Sequence, residues 1–162
     1  MTLFKALGLS ATVIGLDQFS KWLAESALTF QQPLPVLPSF NLTLMYNRGA
    51  AFSFLASAGG WQRWFFVILS AVVSVILVIW LSRLKVGQGR LAIALALVLG
   101  GAVGNLIDRL LYGHVIDFIQ VYYDRWYWPA FNVADSAITI GAFLLILDHF
   151  LEQRAVQPAR ER

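Results

Sequence analysis

Two aspartates, Asp117 and Asp135, have the residue type and the setting to do chemistry in this chain. Each is framed by apolar residues, Val115-Ile116-Asp117-Phe118-Ile119 and Phe131-Asn132-Val133-Ala134-Asp135. A surface loop has no need of such a frame. A site that tunes a carboxylate does, because desolvation raises a carboxyl pKa. Two neighbouring carboxylates do not readily both ionise, so a pair can hold one proton between them. The ionised member can then take a proton from water, while the protonated member polarises a carbonyl and later protonates a leaving amine. The alternative is two independently capped carboxylates, with Asp135 in the first turn of a helix whose dipole favours it. Seventeen residues lie between them, ample for a loop that closes the pair but no proof that it does.

Other chemistries have little to work with. There is no cysteine, which removes disulfides, thiolate metal sites and a cysteine nucleophile. The two histidines, His114 and His149, exclude a histidine-rich metal site and leave a Ser-His-Asp triad few ways to assemble. Of the 162 residues, 59% are hydrophobic and 13% charged, and the mean hydropathy is +0.68. Soluble domains run at roughly half apolar and about a quarter charged. The composition is that of a membrane protein, and the net charge of +3 reads as topology rather than nucleic-acid binding.

A spanning helix needs about 20 mostly apolar residues. Four segments qualify: Leu3–Leu23, Trp61–Leu81, Leu91–Leu111 and Val133–Leu151. The first resembles a signal peptide, but Asp17 and Lys21 lie inside it, where a cleavable signal would be uniformly apolar. Seven basic residues (Lys5, Arg83, Lys85, Arg90, Arg154, Arg160, Arg162) fall on one side and five (Lys21, Arg48, Arg63, Arg109, Arg125) on the other. Three of the seven sit in the short link between the second and third helices, where positive charge weighs most. Both termini are therefore expected in the cytoplasm, with the segments 24–60 and 112–132 outside. Trp22, Trp61, Trp64, Trp126 and Trp128 mark the outer boundary and Trp80 the inner one. In the first outer segment Pro33, Pro35 and Pro38 exclude a helix. Asn41–Tyr46 and Val115–Tyr122 have strand character, which predicts a small antiparallel sheet on the outer face. The polar tail after Gln153 is expected to fray.

At about 1.5 Å of rise per residue, Asp17 and Lys21 lie about 18 and 24 Å above Lys5, and Asn105 and Asp108 about 21 and 26 Å above Leu91. Asn132 and Asp135 open the fourth helix from outside. Three helices thus bring costly polar groups to one depth, as expected for a bundle interior or wet cavity. Asp148, roughly 20 Å further along the fourth helix, reads as inner-surface polarity. Asp17 and Lys21, at i and i+4, suit an internal ion pair that makes the helix insertable, or a substrate contact. Gly100-x-x-x-Gly104 suits close helix packing. Asn105, Asp108 and Arg109 either buttress the site or enter it; Asp108 and Arg109 point different ways and each needs its own partner. Asn47-Arg48-Gly49 is turn chemistry, or presents Asn47 to the backbone of an extended substrate.

Taken in order, Asp17-Gln18-Phe19-Ser20-Lys21, Asn47–Phe52, Gly104–Arg109, Val115–Phe118 and Phe131–Ser136 resemble the lipoprotein signal peptidases, or signal peptidase II, over nearly the whole chain. No departure occurs at the positions carried over. The resemblance implies one integral membrane peptidase domain over residues 1–162, with four transmembrane helices, a periplasmic antiparallel β-cradle and a short extracytoplasmic helix. It implies an intramembrane aspartic endopeptidase of the bacterial inner (cytoplasmic) membrane, with its active site near the periplasmic face. Such an enzyme cleaves diacylglyceryl-modified prolipoproteins just before the lipidated cysteine. Asp117 and Asp135 match the catalytic dyad. Asn47, Asn105, Arg109 and Asn132 match residues lining the substrate and inhibitor site, with Asp108 supporting and Asp17 and Lys21 structural. The resemblance also implies no metal or other cofactor, contact with membrane lipid, inhibition by globomycin-type cyclic peptides and no nucleic-acid partner; a monomer is expected.

Two other classes compete. A small proton-coupled transporter or lipid carrier would also use intramembrane carboxylates, but would need a polar route through the membrane, and here the polar groups gather on one side. A non-catalytic scaffold would have little use for Asp117 and Asp135 in apolar frames.

Overall fold

The computed structural model describes residues 1–49 and 60–156, with side chains as far as Gln153. In chain order the elements are α1 (Leu3–Ala27), β1 (Leu34–Leu37), β2 (Phe40–Asn47), α2 (Trp61–Ser82), α3 (Gly89–Leu111), β3 (Val115–Tyr123), β4 (Trp126–Tyr127) and α4 (Val133–Val156). All four expected helices form, each at or slightly beyond its anticipated limits. Three of them, α2, α3 and α4, are long and apolar enough to cross a membrane. The first helix, 25 residues long, is not among the three; it carries Lys5, Asp17, Lys21 and Glu25. The expectation of four spans is thus met by composition for three. Asp17 and Lys21 lower the apolarity of α1, yet both are buried inside the bundle.

The outer faces of the helices are apolar, the reverse of a soluble bundle. On α2, Ile68, Val72, Val75 and Ile76 are all at least half exposed. All six tryptophans are exposed as well. The centre is α3, which packs against each of the other three helices. Its sequence explains why: Ala92, Ala94, Ala96, Gly100, Gly101, Ala102 and Gly104 are buried and keep its surface thin. A Cβ on Gly100 would lie 2.7 Å from Val13 Cβ, and one on Gly101 would overlap the carbonyl oxygen of Ala134. Gly100 and Gly104 therefore serve close packing as expected, while Gly101 and Gly141 (a Cβ there would lie 2.6 Å from Val98 Cγ2) were not foreseen. Where α1 meets α3, the Ser10 hydroxyl donates to Ala96 O at 2.8 Å. Below that point Ala6, Leu77, Leu81, Ala92, Leu95, Ala96 and Leu99 form an apolar core.

The four strands make one antiparallel sheet in the order β1-β2-β3-β4. Both expected strands are present, and β1 and β4 extend the sheet on either side. Pro35 sits on the edge strand β1, where a missing N–H breaks no ladder. Register pairs Met45 with Asp117 and Asn47 with Val115. The stretch before α4 is tied back to β3: Phe131 N–H donates to Ile119 O (2.9 Å), and Phe131 O accepts from Ile119 N–H (2.9 Å). This bridge delivers the start of α4 to the start of β3. Among the described residues there is no further helix. Ala50, Ala51 and Phe52 of the second motif, the side chains of Arg154, Arg160 and Arg162, and the tail from residue 157 lie outside the described residues.

Gly101→Ala tests the close approach of α3 and α4. The added methyl should cost about 1–3 kcal/mol of stability through overpacking, read as a lower unfolding temperature in detergent; an unchanged temperature would show that the two helices are not held this tightly.

Candidate active site

The expected polar residues meet in one connected network. Lys21 and Asp17, one turn apart on α1, are 1% and 0% exposed and form an ion pair at 2.8 Å. Lys21 Nζ is also 2.8 Å from Asp108 Oδ2 and donates to Asn105 Oδ1 at 3.0 Å. Unpaired, such buried charges would cost several kcal/mol each; here all three donors of the ammonium are used. The internal ion pair anticipated for α1 is therefore real, and it reaches across to α3. Gln18, next to Asp17 on α1, completes it by donating to Asp108 Oδ1 (2.8 Å) and Gly104 O (3.2 Å), a role its sequence motif does not by itself reveal. The available signal was an amide next to an acid inside an apolar helix.

Asp108 and Arg109 do take separate partners. Arg109 donates to Asn105 O (3.3 Å) and Gly49 O (3.2 Å), and its guanidinium lies over the Phe66 ring. Arg63 donates to the carbonyls of Arg109 and Leu110, closing the last turn of α3, where a cation suits the helix dipole.

Around the two aspartates stand three asparagines. Asn132 is completely buried and immediately precedes α4. Its Oδ1 accepts from Asp135 N–H at 2.8 Å, an N-cap bond, and its Nδ2 donates to Asp117 Oδ1 at 2.7 Å. One side chain thus joins both aspartates. Asn105 Nδ2 donates to Asp135 Oδ1 at 2.8 Å. Asn47 Oδ1 accepts from Gly49 N–H (3.0 Å), the anticipated turn, while its Nδ2 donates to Asp117 Oδ2 (3.2 Å). Asp135 lies in the first turn of α4, as the capped-carboxylate alternative expects, and Asn132 links its backbone N–H to the Asp117 carboxylate.

Asp117 is 2% exposed. Burial, then the negative charge of Asp135, pushes its pKa up from 3.8 to about 7, against the pull of Asn47, Lys21 and Asn132. A carboxyl poised near neutrality is suited to giving or taking a proton. His114 stands apart, packed on the ring of Tyr46 at 4.4 Å. Among the described residues no group of three or more histidines, cysteines or acids is placed to hold a metal ion.

Asp148 lies at the far end of the bundle. It is 7% exposed and pairs at 3.0 Å with Nε of Arg90, whose side chain is largely exposed, tying α4 to the start of α3. Along α3, the apolar core residues Ala92, Leu95, Ala96 and Leu99 lie between this pair and the network. An apolar groove of about 410 Å³ between α1, α2 and α3, lined by Leu7, Ile14, Val75 and Leu99 among others, also lies away from the aspartates.

The family model described as signal peptidase (SPase) II matches residues 9–151, a span that includes every group of the network. The chain belongs to the signal peptidase II family. It is 56% identical over 155 residues to the lipoprotein signal peptidase of Pseudomonas aeruginosa, covering 94% of this chain and 92% of that one. It is 54% identical over 148 residues to that of Acinetobacter baumannii, covering 91% and 84%. A bacterial membrane enzyme solved by the in meso method at 2.3 Å resolution superposes with a TM-score of 0.83 at 28% identity, over 98% of this chain and 94% of that one. Signal peptidase II enzymes are membrane proteases that remove signal peptides from prolipoproteins, and the apolar helices of this chain fit that setting.

Two outcomes follow from the geometry. Because the folded Asp117 holds its proton up to about 7 while an unfolded one releases it near 3.8, folded protein binds more protons in between, and stability falls as pH rises across that window. Asp117→Asn should therefore gain thermal stability relative to wild type between these pH values, and a pH-independent difference would contradict the shift. Asp148→Asn, distant from the network, should retain most cleavage activity and lose no more than about 1 kcal/mol of stability; complete loss of activity would tie that end of the bundle to the site.

Proposed function

We propose that this chain is an intramembrane aspartic endopeptidase that cleaves diacylglyceryl-modified prolipoproteins just before the lipidated cysteine. The observation that carries the reading is the pair of aspartates, one near the start of β3 and one in the first turn of α4, with the buried Asn132 side chain bonded to the Asp117 carboxylate and to the backbone N–H of Asp135. One member, ionised, accepts a proton from water as the oxygen attacks the scissile carbonyl. The other, protonated, donates to the carbonyl oxygen, giving a neutral tetrahedral diol. Collapse breaks the C–N bond as a proton passes to the leaving amine. The new carboxyl stays on the signal peptide, and the amine stays on the lipidated cysteine.

The remaining residues fit this role. Asn47 and Asn132 donate to Asp117, and Asn105 donates to Asp135. Arg109, reaching the backbone at Gly49, stands at the edge where an extended substrate would meet Asn47. In this reading α1 is a fourth membrane span, the termini are cytoplasmic, and the sheet and the aspartates lie toward the periplasmic face of the bacterial inner membrane. The distribution of basic residues and the exposed tryptophans support that orientation. A lipidated cysteine, its acyl chains in the outer leaflet, would then meet the carboxylates at their own depth. The chain acts as one peptidase domain and as a monomer, and a globomycin-type cyclic peptide competes for the same site.

The test is cleavage of a purified diacylglyceryl-modified prolipoprotein. Asp117→Asn and Asp135→Asn should each lower the rate by at least about 1000-fold while folding normally, because an amide cannot exchange the proton. Substantial activity in either folded variant would overturn the dyad.

A further inference from the structure

The buried ion network has more members than charge balance on α1 requires. Lys21 has a partner one turn away in Asp17, yet a second acid arrives from α3 at the same 2.8 Å. Each acid keeps contact with the backbone elsewhere. Asp17 Oδ1 accepts from Ala134 N–H at 2.9 Å, and Ala134 immediately precedes Asp135. Asp108 Oδ2 accepts from Ile116 N–H at 3.1 Å, and Ile116 immediately precedes Asp117. The third donor of Lys21 goes to Asn105 Oδ1, and since an ammonium can only donate, the Asn105 amide must turn its NH2 toward Asp135. Every bond from Lys21 therefore ends one step from an active-site aspartate.

We infer that Lys21, Asp17 and Asp108 are positioning residues: a single ammonium, gripping two carboxylates, yokes the start of β3 to the start of α4 and so sets the spacing of Asp117 and Asp135. The inference rests on the dyad reading above. It differs from an ion pair that merely lets α1 insert, because it ties Lys21 to the geometry of the pair. The two aspartates are carried by segments separated by the whole 118–134 excursion, and the yoke, beside Asn132, links them. The charged groups facing the pair are Lys21 and Asp17 from α1 and Asp108 and Arg109 from α3; β2 and the turn into α4 contribute the neutral Asn47 and Asn132.

Two variants test it. The charge-balanced double variant Lys21→Met with Asp17→Asn removes one cation and one anion, and leaves an oxygen for Ala134 N–H. Gly104→Ala keeps every ionisable group but places a Cβ 2.6 Å from Asp17 Oδ2, which must move. Cleavage of diacylglyceryl-modified prolipoprotein by the intact protein in detergent is followed against substrate concentration and pH, with the folded fraction measured in parallel. In both variants kcat should fall by roughly 10- to 100-fold with KM within about twofold. The bell-shaped pH profile should narrow, because carboxylates held less closely repel less and their two apparent pKa values converge. Activity that falls only with the folded fraction, at unchanged profile width, would overturn the yoke. Should the double variant not fold, Gly104→Ala decides alone by the same criteria. Asp117→Asn run alongside separates the two ideas: activity there would overturn the dyad itself, whereas an inactive Asp117→Asn beside wild-type-like yoke variants would overturn the yoke only.

Discussion

The whole polar half of this molecule depends on a lysine ammonium buried between two carboxylates. Lys21, with Asp17 and Asp108, is sealed from water almost completely. Charges in that position are tolerated only when paired and fully hydrogen-bonded. Satisfying them dictates where three elements sit. The first helix must present one face to α3, α3 must lie close enough for its acid to reach Lys21, and the strand and helix that follow must offer N–H groups to the same two carboxylates. The cost of burying one cation is offset by ordering the elements that carry Asp117 and Asp135.

That approach is possible because α3 is thin. The run of buried alanines and glycines from Ala92 to Gly104 lets α1 and α4 come in close enough for backbone and side chain to meet across the seam. Apolar bulk is concentrated instead on the outward faces and in the core around Leu77, Leu81, Leu95 and Leu99. The molecule thus divides along its axis into an apolar half held by packing and a polar half held by directed bonds. Arg90 and Asp148 close the apolar end.

The asparagines give the polar half its direction. An amide can be turned end for end unless a neighbour forbids it. Each of the three has its oxygen held by a group that can only donate: the Asp135 N–H for Asn132, the Lys21 ammonium for Asn105, the Gly49 N–H for Asn47. Their NH2 groups are thereby aimed at the aspartates. Burial and the charge of Asp135 raise Asp117 while Asn47, Lys21 and Asn132 restrain it. The balance leaves a carboxyl able to change protonation near neutrality.

The helices, the two longer strands and the inventory of polar groups were all legible in the sequence, because each is a local property: runs of apolar residues, prolines that refuse a helix, and costly side chains at a common height. Depth alone put Asp17, Lys21, Asn105, Asp108 and Asp135 at one level, and kept Asp148 away. Local pattern could not say which group would bond which. Asn132 reads as a lining residue by resemblance, but the tertiary structure buries it completely and sets it between both aspartates. Gln18 is marked locally only as an amide beside an acid in an apolar helix, and Gly101 not at all; both gain meaning from what α3 and α4 bring against them. Partner choice depends on helix rotation, on sheet register and on the Phe131–Ile119 bridge that returns the chain to β3. Those are set by packing between segments far apart in sequence. The residues that could meet were therefore determined by the sequence by itself, and the bonds they make by the tertiary fold.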